Sequence, residues 1–162
     1  NVRVWTDWVG PDPGPSVRED IRAQLELIAE GAAERGLTVS LEFHRGTLTE
    51  TATSTIALLD SVDAPNLFTY WQPSDGMTVP DLLASWRAVR TCASHLHVFR
   101  WRSYEDRQPL AEGEDLWPAV LAEPPVGTAW TGDRVAFLEF VRGDDPHQVV
   151  ADAAVLRRWL EL

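Results

Sequence analysis

Strand-like and helix-like segments alternate five times along this chain, and no hairpin signal joins any two strands. The predicted strands cover residues 2–8, 37–43, 64–71, 94–101 and 134–141. The predicted helices cover 16–35, 49–62, 78–90, a short stretch near 115–122, and a last segment from Asp145 or Pro146 to Leu162. Strands separated by helices pair in parallel through right-handed crossovers. The pattern therefore predicts an α/β fold with parallel strands.

Local signals mark where several of these helices begin and end. Ser16 with Glu19 three residues later predicts a capping box, and Gly36 predicts the end of the same helix. Thr49 is the candidate cap of the second helix. Pro80 is predicted to lie in the first turn of the third.

The segment after the first strand decides between an open nucleotide-binding sheet and a closed barrel. Its sequence, WVGPDPGP, matches neither G-x-G-x-x-G nor a P-loop, because prolines stand where backbone donors are needed. Five units in 162 residues scale to roughly 260 residues for eight units, close to the ~250 typical of a (β/α)₈ barrel. We therefore predict that residues 1–162 form one domain, an incomplete TIM barrel containing about the last five β/α units, with three units expected ahead of Asn1.

The charged residues exclude several classes of function. The formal net charge is −11, and all 14 basic residues are arginine, so this chain has no lysine for Schiff-base chemistry. The acidic balance argues against nucleic acid as a partner, since phosphate binding needs clustered basic charge. No apolar run approaches the ~18 residues that indicate a membrane span. The single cysteine, Cys92, is interpreted as buried filler in a protein of a reducing cytoplasm.

Polar residues stand at the ends of the predicted strands, where an apolar sheet would not place them. They are Glu42 and His44, Gln72, His95 and His97, and Glu139. The ends of parallel barrel strands converge on one mouth, where active sites form. Carboxylate, amide and imidazole groups together suit a mixed oxygen and nitrogen site for a divalent metal.

Four of these six residues also have an ordinary structural interpretation. Glu139 could pair with a nearby cation such as Arg142. His44 or His95 could be a core histidine bonded to a backbone carbonyl. Gln72 could bond to the loop over residues 73–76, with no role in a metal site.

Four segments in order, GLTVSLEFH, APNLFTYWQPSDG, HLHVFRW and AFLEF, resemble the sugar phosphate isomerase/epimerase superfamily of xylose isomerase-like barrels. The resemblance implies a divalent metal (Mn, Mg, Co or Zn) held by Glu42, Gln72, His97 and Glu139. It also implies that Glu42 and Glu139 exchange the substrate proton. His95 would then support or pack one layer deeper.

The sequence departs from the family pattern at two positions. Gln72 followed by Asp75 stands where the family has Asp followed three residues later by His, and a neutral amide is the weaker ligand. Ser103 stands six residues after His97, where some epimerases have an arginine that holds substrate.

The function implied by the resemblance is a metal-dependent isomerase, epimerase or dehydratase acting on a sugar, polyol or related hydroxy-carbonyl compound. The predicted substrate contacts are Trp5, His44, Trp71, Arg100 and Trp101, with the tryptophans forming an apolar wall. An alternative is a non-catalytic barrel that has lost full metal binding and serves as a small-molecule binding or interaction domain. A third possibility is the DNA-repair endonuclease relative of this superfamily. It would need several more His and Asp metal ligands and a basic DNA-binding face, and this chain lacks both. The open strand edges of an unclosed barrel suggest a homo-oligomer as a further hypothesis.

Overall fold

A computed structural model describes residues 1–123 and 130–161. Its main sheet has five parallel strands, and each strand pairs with the next one along the chain. These strands are β1 (Val2–Val4), β2 (Val39–Glu42), β3 (Leu67–Trp71), β4 (Ala93–Val98) and β7 (Ala136–Leu138). The predicted parallel pairing in sequential order is confirmed.

A helical segment follows each of the five strands along the chain. These helices are α1 (Pro15–Ala33), α2 (Ala52–Val62), α3 (Val79–Val89), α4 (Trp117–Ala122) and α5 (Pro146–Leu160). Single 3₁₀ turns cover Leu110–Gly113 and Arg142–Asp144. Leu162, the predicted end of the last helix, lies outside the described residues. None of the helices in the described ranges combines the length and apolar character that a membrane span requires.

Two of the predicted helix caps are wrong, and the helix starts differ from the prediction by one and three residues. Helix α1 begins at Pro15 after Gly14, with no side-chain cap, because proline at the first helical position needs no hydrogen-bond acceptor. Helix α2 is capped by Thr51, whose Oγ1 accepts from the Ser54 N–H, while the Ser54 hydroxyl accepts from the Thr51 N–H. Thr49 instead is buried and donates to the backbone carbonyl of Glu42 at 2.5 Å.

One small antiparallel ribbon was not predicted. Residues Arg100–Trp101 (β5) pair with Arg107–Gln108 (β6) in the loop after β4, outside the five-stranded sheet. The ribbon holds Trp101 and the turn that carries Tyr104 beside the carboxyl ends of the main strands.

The two faces of the sheet have different chemistry because side chains alternate along each strand. The outward face is apolar and packs against the helices; Leu96 and Val98 of β4 belong to a buried cluster with residues of α3, α4 and α5. The inward face carries buried polar groups, including His95 and His97 from the same strand. The inward face therefore holds the candidate site.

Candidate functional site

Three predicted ligands converge at the carboxyl ends of three strands. Glu42 ends β2, His97 lies near the end of β4, and Glu139 directly follows β7, where its N–H still bonds to the Val98 carbonyl. The His97 Nδ1 lies 3.2 Å from Glu139 Oε2 and 3.9 Å from Glu42 Oε1. Glu42 and His97 are almost fully buried, and Glu139 is partly exposed.

Gln72 follows β3 directly and orients His97. Its Oε1 lies 2.7 Å from the His97 Nδ1, which is the distance of an N–H donating to an amide oxygen. With the proton on Nδ1, the other ring nitrogen, Nε2, carries the free lone pair. The observed partner of Gln72 is thus the imidazole, rather than the loop over residues 73–76.

Arg3, in the middle of β1, lies at the centre of this group, and the sequence analysis gave it no role. One of its terminal nitrogens, Nη1, is 3.1 Å from Glu42 Oε2, 3.4 Å from His97 Nε2 and 3.7 Å from Glu139 Oε1. Arg142, the cation considered as a partner for Glu139, bonds to Gln148 instead. The cation beside Glu139 therefore comes from β1.

Trp5, which directly follows β1, holds Glu42 in place. Its indole Nε1 donates to Glu42 Oε2 at 2.5 Å, so this oxygen contacts both an indole donor and the Arg3 guanidinium. Arg3 and Trp5 are two residues apart and share one face of the strand. Their alternation was the signal in the sequence that could have placed Arg3 at the mouth.

Burial shifts the pKa values of two groups in the site in opposite directions. Burial lowers the pKa of His97 to about 4, and the positive charge of Arg3 adds to this effect. Burial and then the charge of Glu42 raise the pKa of Glu139 to about 7, although Arg3 opposes that rise. At neutral pH the site therefore combines a neutral imidazole with a carboxyl group whose pKa is raised to about 7.

His95 lies one layer deeper than His97 on the same face. Its Nδ1 accepts the backbone N–H of Val135 at 3.0 Å, and its ring makes edge contacts with Tyr70 and Phe137. Burial lowers the pKa of His95. These contacts give it a packing and supporting position.

A cavity of about 310 Å³ opens beside Gln72 between two groups of aromatic side chains. On one side the rings of Trp5, Trp8 and His44 contact one another. Trp8 meets the other two rings edge to face, and the ring centres of Trp5 and His44 are 4.3 Å apart. The other side is formed by Trp101, Tyr104 and Phe140. The predicted contacts Trp5, His44 and Trp101 therefore line one cavity.

Trp71 and Arg100 do not line this cavity. Trp71 points outward from β3, is fully buried against Trp86 and Trp117, and donates to the Ser85 hydroxyl at 3.2 Å. The prediction that Trp71 forms part of the pocket wall is wrong, because Gln72 faces inward and its neighbour must face outward.

Arg100 pairs with Asp115 and lines a separate cavity of about 280 Å³ on the other side of the loop over residues 73–77. Arg100 therefore lies outside the lining of the aromatic cavity.

The donor types at the mouth fit a divalent cation, whereas their present arrangement does not form a ligand set. Two carboxylates and an imidazole nitrogen are suitable ligands. Within residues 1–123 and 130–161, however, no three His, Cys, Asp or Glu side chains are placed to hold a metal ion. The Arg3 guanidinium lies between the donors that would have to do so.

No protein-family model and no curated protein matches this sequence. Solved structures do. The probable 3-DHS dehydratase AsbF of Bacillus anthracis, involved in petrobactin synthesis, aligns over 99% of this chain with a TM-score of 0.74 and 21% identity. A D-tagatose 3-epimerase-like protein aligns over 99% with a TM-score of 0.68 and 16% identity. A xylose isomerase-like TIM barrel protein from Mycobacterium smegmatis, in complex with magnesium, aligns over 91% with a TM-score of 0.65 and 16% identity.

The chain spans only part of each of these proteins: 62% of the dehydratase, 61% of the epimerase-like protein and 52% of the magnesium complex. Five parallel strands in sequential order and these alignments confirm the predicted incomplete barrel. The chain has the fold of the xylose isomerase-like TIM barrels and forms five consecutive β/α units of one.

Proposed function

We propose that this chain carries the site of a divalent-metal-dependent isomerase, epimerase or dehydratase that acts on a sugar, polyol or related hydroxy-carbonyl compound. The observation that carries the proposal is the convergence of Glu42, His97 and Glu139 on one point at the barrel mouth, beside an aromatic cavity. The similarity in fold to a sugar epimerase-like protein, a dehydratase and a magnesium-bound barrel supports the same class.

The donor set assigns a role to each residue. Glu42, Glu139 and the Nε2 of His97 would hold the metal, which would polarise adjacent substrate oxygens when bound. Gln72 would orient the imidazole through Nδ1, as it does here. The amide oxygen of Gln72 would have to release His97 to become a ligand itself.

Glu139 is the group best suited to move a proton. A general acid or base works best when its pKa lies near the working pH, and burial raises the pKa of Glu139 to about 7. Glu42 is held by the Trp5 indole and by Arg3, so its carboxylate keeps a fixed position opposite Glu139. A C–H next to a carbonyl, placed between the two glutamates, would lose its proton to one and regain it from the other.

The aromatic groups favour a substrate that presents an apolar C–H face. The Trp5 ring on one side and the Trp101 and Phe140 rings on the other leave room for one small ring or chain. The oxygen atoms of the substrate would face Gln72 and, beyond it, the side chains of Glu42, His97 and Glu139. A small carbohydrate or a hydroxylated carbocycle has this combination of faces.

The test is exchange of substrate hydrogen with solvent. The protein would be incubated with Mn²⁺ in D₂O and a panel of ketoses, polyols and cyclic hydroxy-ketones, and ¹H NMR would follow loss of the C–H signal next to the carbonyl. We expect exchange with the unmodified protein and a loss of about 10²–10⁴-fold in Glu139→Gln, since this is the usual contribution of a positioned acid or base.

Glu30→Gln is the matched control, because Glu30 is an exposed residue of α1 on the helical layer. It should exchange at the unmodified rate. Exchange that survives in Glu139→Gln would refute the assigned role. Absence of exchange across the panel, with no bound Mn, Co, Mg or Zn in the purified protein, would refute the proposed class.

One observation favours the non-catalytic barrel as a second candidate. Arg3 neutralises charge on Glu42 and Glu139 without any metal, and the neutral Gln72 adds no negative charge to the group. Such a barrel would bind a small molecule between the aromatic groups and leave its C–H bonds unchanged. Binding without exchange or metal uptake would support this candidate.

A further inference from the structure

The Arg3 guanidinium is placed where a cation between Glu42, His97 and Glu139 would lie. A single nitrogen, Nη1, is within 3.1–3.7 Å of a carboxylate oxygen of Glu42, the lone-pair nitrogen of His97 and a carboxylate oxygen of Glu139. These are the three atoms that would ligate a metal. A guanidinium and a divalent cation cannot occupy this point together.

The side chains around this point differ in burial and in how they are held. The side chains of Glu42 and His97 are 5% and 2% exposed and are held by Trp5 and Gln72. The Arg3 side chain is long and has several rotatable bonds, so its guanidinium can leave the centre without any change in the strands.

From this geometry we propose that Arg3 is an internal counter-cation that occupies the acidic centre when no metal is bound and competes directly with a divalent cation for it. The inference rests on the proposed function, because it concerns the same centre. It adds that metal uptake requires the guanidinium to leave. Metal affinity is therefore set by Arg3 as well as by the ligands.

Two consequences separate this role from that of an ordinary surface ion pair. Removing the guanidinium leaves two close carboxyl groups without their cation, so the metal-free protein should lose stability. The same change removes the competitor, so the metal should bind more tightly. An ordinary surface ion pair would give neither a gain in metal affinity nor a stability loss that metal reverses.

The experiment measures Mn²⁺ binding by calorimetry and thermal unfolding in EDTA or in Mn²⁺. It compares the unmodified protein with Arg3→Gln, Arg3→Lys and the control Arg158→Gln, an exposed position near the end of α5. We expect Arg3→Gln to bind Mn²⁺ at least about tenfold more tightly, and to unfold at a lower temperature in EDTA but not in Mn²⁺. Arg3→Lys, which keeps a cation, should stay near the unmodified protein, as should Arg158→Gln.

The outcomes distinguish this inference from the proposed function. Measurable and equal Mn²⁺ affinities in the unmodified protein and Arg3→Gln would overturn the role of Arg3 and leave the metal-dependent function standing. No binding by either would overturn both. Binding by Arg3→Gln alone would support the competition and would favour the non-catalytic barrel for the natural sequence.

Competition between a free guanidinium compound and Mn²⁺ provides an independent test of the role of Arg3. In Arg3→Ala, added methylguanidinium should weaken Mn²⁺ binding in proportion to its concentration, because it can re-enter the vacated position. In the unmodified protein the same additive should have little effect, since Arg3 already fills that position. Lack of competition in Arg3→Ala would contradict the proposal.

Discussion

The outward face of these strands is packed with apolar side chains, whereas the inward face mixes aromatic rings with the buried polar groups of the site. On β3 and just after it, Trp71 packs in the helix layer while Gln72 orients an imidazole at the mouth. On β4, Leu96 and Val98 alternate with His95 and His97 in the same way. The outward face gains stability from burial of apolar area, whereas the inward face holds charges that burial disfavours. Stability and chemistry are therefore assigned to alternate residues.

The largest expected effect tests this division with two neighbouring residues. Trp71→Ala should lower the free energy of unfolding by about 3–5 kcal/mol, because it empties a fully buried aromatic site. Gln72→Ala should cost only about 1–2 kcal/mol, the price of one buried hydrogen bond to His97. Urea unfolding of both variants measures the difference. Equal losses of unfolding free energy in the two variants would contradict this division between the outward and inward faces.

A smaller effect should appear in the pH dependence of the inward face, measured without metal. The pKa of His97 is lowered to about 4 from 6.5, so its contribution to stability is lost as pH falls from about 6.5 to 4. The pKa of Glu139 is raised to about 7 from 4.5, so its contribution is lost as pH rises from about 4.5 to 7. The two slopes oppose each other in the unmodified protein.

Single variants should separate these slopes. Glu139→Gln should leave a stability that rises with pH between about 4 and 6.5, by on the order of 2 kcal/mol. His97→Gln should leave one that falls between about 4.5 and 7. Trp71→Phe, on the outward face, should lower the whole profile without changing its shape. Parallel profiles for all three would show that Glu139 and His97 do not titrate in this way.

The smallest effect concerns the loop that supports the aromatic wall. Gly46 has a φ of +79°, and a Cβ there would lie 2.9 Å from the Trp8 ring. Gly46→Ala should cost about 1 kcal/mol for the left-handed backbone and should also displace Trp8. Gly36→Ala is the matched control, since it has φ +64° with open space around it. Only Gly46→Ala should shift the Trp8 indole resonance in NMR spectra; an unshifted resonance would contradict the contact.

The sequence was sufficient for the order of elements and for much of the mouth. Alternation and strand ends placed Glu42, Gln72 and His97 on the inward face, because both features depend only on local spacing. The same alternation could have excluded Trp71 and found Arg3. The ribbon of β5 and β6 was beyond prediction, since each strand is two residues long and carries no alternating pattern.

The charged centre depends on contacts that local patterns do not specify. Arg3 and Glu139 are far apart in the sequence, and their approach follows from the curvature that brings β1 and β7 around a common mouth. The Ser16 and Glu19 motif predicted the wrong cap, because Pro15 already fits the first turn. Nearby residues that match a motif can thus be overridden by a neighbour with a stronger backbone preference.

The one-to-one alternation of the two faces also sets which changes in chain length this fold can accept. Deleting one residue inside β4 would turn Leu96 and Val98 toward the mouth and His95 and His97 toward the helices, because the side-chain period of a strand is two. The same deletion in a loop would leave both faces in place. We therefore expect the fold to accept changes of length in its loops, where they remodel the cavity wall while the charged centre keeps its register.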